Sequence, residues 1–505
     1  MRLYHLSFTA MSFLASLLPV AAPAKSLPPN ILFILSDDHA LEAIGAYGSW
    51  LKDHVQTPTI DRLAAEGMRF TKVCCNNSIC SPSRASIITG QYSHTNGGIN
   101  LNCSLKEEAP SYNRQLQQNG YQTAVIGKWH MKHMPRGMDF FAVTKGQGKY
   151  VDPTFSWKDK TTTNHTGYYA DVYADVALDW LKHRDRNKPF CLNLHFKGPH
   201  HPYDYPKRHE NLLADTLLPE PPSLHEDVAV TSPLLKGKHW GHLLRNRGYY
   251  HRHVDDTYPE MWPHDHSDRS KMSAAYQHMI HKYIRAVAAI DENIKRVIDY
   301  LEAEGIKDDT VIVYSSDQGY WLGQHGLYDK RLILEESLKM PLIVRYPRMV
   351  RAGSVNHDLV SNVDYAPTLL ELAGITVDPR MQGRSIVPLL KGQAPGDWRE
   401  AIWYAYWAAG HPHFGMRSER FKLVLFPGSN AFEFYDLKKD PQEMTNQSGN
   451  PEYAQVIEAA RQTLESLKKE VNITAGQMPG EGASARNKAP TLEKDRKRKK
   501  KNADK

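Results

Sequence analysis

Five short runs of apolar residues punctuate the first 345 positions: Ile31–Leu35, Thr123–Ile126, Phe190–Leu194, Thr310–Tyr314 and Leu342–Val344. They are continuous rather than alternating, which is the pattern of strands buried on both faces. Between them lie stretches of helical spacing. Ile280, Ile284, Val287, Ile294, Ile298 and Leu301 predict one long helix over about Ser273 to Glu304, stopped by Gly305. Strand runs alternating with helices predict an α/β fold: a mostly parallel sheet sandwiched by helices. No repeat of solenoid length interrupts it. From about Trp398 the pattern changes. Ala401–Tyr406, Gly415–Met416, Lys422–Phe426 and Phe432–Asp436 read as short strands, and 451–471 as one amphipathic helix. The division expected is a catalytic-sized domain over 25–390, a smaller α+β subdomain over 391–475 and a disordered tail over 476–505. Residues 201–270 are irregular and rich in His, Tyr, Trp and Pro. A stretch of that length suits a lid or a carbohydrate-binding rim, with a surface insertion as the plain alternative.

The N-terminus is set apart from this pattern. Arg2, the apolar run Phe8–Val20 and Ala22-Pro23-Ala24 predict a signal peptide over 1–24, hence a secreted or periplasmic protein. The run is too short to span a bilayer, and no other segment is long and apolar enough. The formal charge of +7 is carried by residues 486–505, which hold ten Lys/Arg against three Asp/Glu. Without the tail and Arg2 the body carries −1, which argues against a nucleic-acid-binding face. The run Arg496–Lys501 reads as a solvated charge run. Five cysteines, Cys74, Cys75, Cys80, Cys103 and Cys191, make no disulfide framework in a chain this long. One bridge involving Cys103 or Cys191 stays open.

Chemistry gathers where the apolar runs end. The first runs into Asp37-Asp38-His39 and the second into Gly127-Lys128-Trp129-His130. The third leads to Lys197-Gly198-Pro199-His200-His201-Pro202, and the fourth ends in Ser315-Ser316-Asp317-Gln318-Gly319. Ligands of open α/β sheets bind at the carboxyl ends of the strands, so all four clusters are expected in one crevice. One Asp after a strand is usually a helix cap. Asp37, Asp38, Asp317 and Gln318 together make an all-oxygen set, suited to Ca²⁺ or, less well, Mg²⁺ rather than zinc. Lys128, Arg84 and Lys330 are candidate anion contacts. His130 and His200 are candidate acid/base groups. His133, His201 and His325 read as supporting residues. His278 and His281, three apart on the long helix, lack further ligands for a zinc site. His411, His413 and Arg417 are candidate substrate contacts in the C-terminal subdomain.

The segment Cys80-Ser81-Pro82-Ser83-Arg84, continuing to Ile88-Thr89-Gly90, resembles the signature of the type I sulfatases. The strand-end clusters and Gly323-Gln324-His325-Gly326 through Lys330 resemble the same family, so the likeness runs from Asp37 to Lys330. Within it the chain is most similar to bacterial N-acetylglucosamine-6-sulfatase-like enzymes, by Asn77-Ser78-Ile79-Cys80, Tyr92-Ser93-His94 and Ser316–Gly319. The resemblance implies an alkaline-phosphatase-like fold. It implies a sulfuric ester hydrolase acting on a sulfated mono-, oligo- or polysaccharide, with 6-O-sulfated N-acetylglucosamine the named candidate. Cys80 would be oxidised by a maturation enzyme to formylglycine, serving as nucleophile and metal ligand. Asp37, Asp38, Asp317 and Gln318 would hold Ca²⁺. Arg84 would steady the nucleophile, while Lys128, His200 and Lys330 bind sulfate. His200 or Lys330 would assist the leaving alcohol, and His130 would take the proton that lets sulfate go. Gln318 replaces the more common Asn or His, and Lys132 stands where Gly is common. Two rivals remain from the sequence: a phosphate or phosphonate monoester hydrolase of the same superfamily, and a non-catalytic glycan-binding relative whose Cys80 stays a thiol.

Overall fold

The computed structural model describes residues 28–480, except 227–231, 233–240, 245–247, 255–261, 263–264 and 409–410. The expected signal peptide and the Arg496–Lys501 run lie outside the described residues, as do parts of 201–270. Ten strands form the main sheet: β1 (Asn30–Asp37), β2 (Met68–Phe70), β3 (Gln122–Lys128), β4 (Phe140–Thr144), β5 (Thr154–Trp157), β6 (Thr162–Asn164), β7 (Phe190–Pro199), β8 (Thr310–Ser316), β9 (Leu342–Arg345) and β10 (Ser354–Asn356). Their order is β10-β2-β9-β8-β1-β7-β3-β4-β5-β6. The five central strands, β8 to β4 in that order, run parallel. The fifth apolar run is β9, and it pairs antiparallel with β8. An apolar run marks a buried strand but carries no information about its direction.

Both faces of the sheet are covered. Ile31, Phe33 and Leu35 of β1 enter one core with Ile87, Tyr112 and Leu369. Leu32 and Ile34 enter the other with Tyr169, Tyr173, Ile294 and Ile298. Successive side chains thus point into opposite cores, which is why the run is continuously apolar. The helices that supply these cores are α1 (Pro58–Glu66), α2 (Cys80–Thr89), α3 (Tyr169–His183), α4 (Asp268–Ala303) and α5 (Tyr365–Leu372). The long helix α4 begins at Asp268, five residues before the apolar periodicity does. Ser267 caps it by accepting from Ser270 N at 3.1 Å, so its first turn is specified by a polar cap that apolar spacing does not register. The described parts of 201–270 pack on α4 through Tyr203, Leu218, Leu224, Tyr249 and Tyr250 in a third, aromatic core.

The C-terminal part is an antiparallel meander of β11 (Ala401–Tyr406), β12 (His413–Ser418), β13 (Phe421–Leu425) and β14 (Phe432–Asp436), backed by α6 (Ala454–Glu470). Ordered structure continues past 475: Ala475–Gln477 form one 3-10 turn, and Trp407 Nε1 donates to the Gln477 carbonyl at 2.7 Å. The meander is pinned to the main domain by buried charge. Glu335 pairs with Arg417 at 3.0 Å and Lys422 at 2.9 Å, and Lys422 also pairs with Glu443 at 2.6 Å. All five cysteines are buried free thiols, so no bridge forms.

One glycine sets the approach of two central strands. Gly127 sits at φ +106°, and a Cβ there would lie 2.1 Å from the His195 carbonyl oxygen of β7. Gly127→Ala is expected to destabilise the protein by about 2–4 kcal/mol, from left-handed strain plus backbone overlap. Denaturant melts of the two proteins check this, and equal midpoints would contradict it.

Candidate active site

Strand register builds the first half of the site. Asn30 to Ser36 pair residue for residue with Thr310 to Ser316, so the next residue of each strand, Asp37 and Asp317, emerge side by side. Asp38 and Gln318 follow them, with Asp38 in the left-handed region at φ 68°. On the other flank of β1, β7 carries His200 past the strand end, and β3 ends on Lys128.

Helix α2 supplies the second half. Cys80 is its first residue, and all ten of its residues are buried. The polar residues of the helix are spent on strand ends. Ser81 Oγ donates to the His130 carbonyl at 2.6 Å, and Ser83 Oγ donates to the Asp317 carbonyl. Arg84 donates through Nε to Asp317 Oδ2 at 2.8 Å and through Nη1 to the Lys128 carbonyl at 2.7 Å, with Nη2 3.8 Å from Asp37 Oδ1. One buried guanidinium thereby ties α2 to three strands. The Ser-Pro-Ser-Arg part of the motif docks Cys80 against the sheet edge; a planar fork of donors is what this geometry demands.

The acidic residues are closely packed. Ligand atoms of Asp37, Asp38 and Asp317 lie within 4.8 Å of one another, as do those of Asp37, Cys80 and His200. Burial pushes the Asp317 carboxyl up to about 8, with Asp37 adding to the push and Arg84 opposing it. Burial, opposed by Lys330, leaves Asp38 at about 6. Burial acts on Asp37 too, but Lys128, His200, Arg84 and Lys330 together hold it well below the usual carboxylate range. Gln318 donates through Nε2 to Asp38 and approaches Cys80 Sγ at 3.7 Å. Its Oε1 is buried with no hydrogen-bond partner, and so is Asp37 Oδ1. Two orphaned buried oxygens inside a carboxylate cluster fit a hard divalent cation, whose charge would relieve the repulsion.

The cations answer the carboxylates. Lys128 Nζ donates to Asp37 Oδ2 and to Gln147 Oε1. Lys330 Nζ donates to Asp38 Oδ2 at 2.5 Å, and Asp38 in turn holds the Lys330 ammonium well above its usual range against burial. His200 Nδ1 faces the His201 carbonyl at 2.7 Å, and its Nε2 lies 3.6 Å from Asp38 Oδ2. Burial, then Lys330, keeps this imidazole neutral, well below its ordinary pKa. His130 is held down to about 2 by burial and then by Lys128, and its buried Nδ1 has no hydrogen-bond partner. Burial and Asp37 push the Cys80 thiol up to about 12, so an unmodified Cys80 is a poor nucleophile here. His130, Asp329 and Arg331 all sit at positive φ around this pocket. Such backbone is retained where surrounding structure over-determines it.

All the residues expected at the site therefore converge: Asp37, Asp38, Cys80, Arg84, Lys128, His130, His200, Asp317, Gln318 and Lys330. Two of the C-terminal candidates, Arg417 and His413, do not. Arg417 is buried and spent on Glu335, and His413 is buried between the rings of Tyr404 and Tyr406. An amphipathic strand does not say what covers its inner face, and here it is the main domain. His325 faces Glu336 at 3.7 Å, and His201 Nε2 lies 3.1 Å from His253 Nε2. His281 faces the backbone carbonyls of Gln277 and Thr216, at 2.7 and 3.0 Å. Three contributors went unassigned from the sequence: Gln147, Asp329 and Tyr150. Asp329 lies 3.6 Å from Lys330 Nζ, and Tyr150 donates to the His200 carbonyl. Asp329 directly precedes Lys330, which was the one available signal. The others need the pairing of β3 with β4 before they can be placed.

Comparison with known proteins agrees with this geometry. The model of the sulfatase family matches residues 29–375, and that of the N-sulphoglucosamine sulphohydrolase C-terminal region matches 323–470. The chain belongs to the sulfatase family and is an enzyme of sulfate-ester hydrolysis. An N-acetylglucosamine-6-O-sulfatase of Bacteroides thetaiotaomicron is 38% identical, over 90% of this chain and 89% of that one. The N-acetylglucosamine-6-sulfatase of Homo sapiens is 28% identical over 76% of this chain and 68% of its own length. A solved structure in complex with its substrate, D-glucosamine-2-N,6-O-disulfate, superposes with a TM-score of 0.82 at 35% identity, covering 89% of this chain and 99% of that one. The phosphonate monoester hydrolase of Agrobacterium radiobacter shares the fold, with a TM-score of 0.69 at 23% identity over 88% of this chain and 96% of that one.

Arg84→Met should be among the most damaging single changes to stability. It leaves Asp37 and Asp317 facing each other with no guanidinium, at a cost of about 3–5 kcal/mol. Urea denaturation in the presence of chelator measures it, and a loss below about 1 kcal/mol would show that the clamp is not structural.

Proposed function

We propose that this protein removes the 6-O-sulfate from glucosamine residues, N-acetylated or N-sulfated, of a sulfated glycan. The observation that carries the substrate is that a relative at 38% identity is named for N-acetylglucosamine 6-O-sulfate, and that a solved structure at 35% identity holds a 6-O-sulfated glucosamine as its substrate. The enzyme works outside the cytoplasm after loss of residues 1–24, and a maturation enzyme converts Cys80 to formylglycine before or during folding. Burial of the whole of α2 supports that order, because a second enzyme cannot grip a helix whose ten residues are all packed into the fold.

Each residue then has a defined task. Asp37, Asp38, Asp317 and Gln318 are the oxygens that hold Ca²⁺, and the orphaned Asp37 Oδ1 and Gln318 Oε1 are the atoms that most need it. Bound there, a hard cation polarises the sulfuryl oxygens and offsets their charge. Residue 80, as the hydrated aldehyde, supplies the oxygen that attacks sulfur. Arg84 keeps α2 docked so that residue 80 stays at the sheet edge. Lys128 and Lys330 bring two ammonium groups to the sulfuryl oxygens, where the charge of transfer develops. His200 or Lys330 assists the departing sugar oxygen; the Lys330 ammonium, kept charged by Asp38, holds a proton to give, while the neutral His200 stands beside it. His130, neutral and with a free Nδ1, accepts the proton whose removal releases sulfate.

Three outcomes are expected. The peptide carrying residue 80 should be lighter by about 18 Da than its encoded mass, and an encoded mass in active protein would refute the aldehyde. Cys80→Ala should lower sulfate release from N-acetylglucosamine 6-sulfate by about 10³-fold or more, with melting temperature little changed. Calcium at a hundred times its Kd should stabilise the chelated protein by about 2.7 kcal/mol, read as a thermal shift. Release from 2-O- or 4-O-sulfated sugars in place of the 6-sulfate would overturn the substrate assignment.

A further inference from the structure

Lys197 stands on β7, three residues before His200, and is 3% exposed. Its Nζ lies 4.4 Å from the centre of the Tyr150 ring, the same tyrosine whose hydroxyl donates to the His200 carbonyl. The other buried cations of the site each have a carboxylate: Lys128 has Asp37, Lys330 has Asp38 and Arg84 has Asp317. Lys197 differs. Among the described residues, no carboxylate lies within 4 Å of its ammonium and no hydrogen bond satisfies it. The face of Tyr150 recovers part of the lost hydration. Charge around it belongs to the catalytic cluster: Lys128 opposes its protonation, while Asp37, Asp38 and the more distant Asp204 favour it.

A buried ammonium without an anion is a cost that a fold does not accept for packing alone, because an apolar side chain of the same length fills the space at lower energy. The Nζ itself is not fully enclosed, so an anion that enters the pocket can reach it. The group lies at the carboxyl edge of the sheet, among residues that handle sulfate. Burial, then Lys128, lowers its pKa to about 8, which leaves it mostly charged at neutral pH and primed to gain an anionic partner.

We propose that Lys197 and Tyr150 form an anion-holding subsite of the catalytic pocket, in which the Lys197 ammonium takes a sulfate oxygen from the β7 side while Lys330 serves from the segment after β8. The proposal rests on the sulfate-ester chemistry of this pocket and adds a cation to those already assigned. No covalent step is involved: Lys197 binds the sulfuryl group in the ester and in the released sulfate.

The test is a calorimetric titration of the calcium-loaded protein with inorganic sulfate, beside steady-state kinetics on N-acetylglucosamine 6-sulfate. Lys197→Met should weaken sulfate binding about tenfold to a hundredfold, the range of one charge-assisted hydrogen bond, and raise KM by a similar factor. Its melting temperature should equal or exceed that of the natural protein, because an unpaired buried charge has been removed. Lys197→Arg should recover most of the affinity. If Lys197→Met binds sulfate as before and only melts lower, the lysine is structural and the proposal is wrong. Lys197→Gln gives the same readout should the Met variant fail to accumulate. Sulfate binding that depends on Lys197 in a protein inactive on the 6-sulfated sugar would sink the substrate assignment but leave the subsite standing.

Discussion

Taking a carboxylate out of water costs several kcal/mol even after the protein relaxes, and Asp37, Asp38, Asp317 and Asp329 are all buried at one edge of one sheet. The architecture around them follows from that cost. Arg84, Lys128 and Lys330 must be delivered to the same few ångströms, and each comes from a different element: a helix start, a strand end and a loop. None of the three can move without leaving a carboxylate uncompensated. The α/β framework therefore acts as a jig that holds opposed charges at short range, and the site inherits its rigidity from the helices packed on both faces of the sheet.

The same constraint explains a division of labour inside the Cys80–Arg84 segment. Cys80 is the residue proposed for the chemistry, and Ser81, Ser83 and Arg84 bond to the strand ends around it. They convert a helix with no apolar stripe into one that is fully buried. A helix whose Ser81, Ser83 and Arg84 are satisfied at the catalytic edge, with Ser83 also accepting from Asn362 and Ser86 donating to Asn76, is held to one docking position. Specificity of docking is thus obtained from hydrogen bonds rather than from hydrophobic area.

Much of this was legible in the chain because polar residues following continuous apolar runs are conspicuous: Asp37-Asp38, Lys128 and Asp317-Gln318 each end such a run. The sheet ends follow from the same pattern; strand direction does not, and the fifth run pairs antiparallel. Lys330 is readable as a candidate cation, but nothing apolar precedes it in a way that fixes its position, and its sulfate role comes from the family resemblance. The reading failed where position depends on an element distant in sequence. Gln147 and Tyr150 enter the site only because β4 pairs with β3, and Lys197 was visible as a residue but not as an inward-facing one. His411, His413 and Arg417 lie in a subdomain whose inner face is covered, a fact that spacing within a strand does not encode. The first turn of α4 was missed because capping, not apolar spacing, defines it.

The buried ions between the meander and the main domain reach further than stability. Glu335 lies five residues after Lys330, and its backbone N–H is held by Glu443 while Tyr404 holds the Arg331 carbonyl at 2.9 Å. The loop carrying Lys330 is thus braced on both sides by residues more than seventy positions downstream. A boundary drawn near residue 390 divides the polypeptide but not the enzyme: the C-terminal sheet works as a buttress for the pocket, and a substitution at Tyr404 or Glu443 reaches the loop of Lys330 through the backbone.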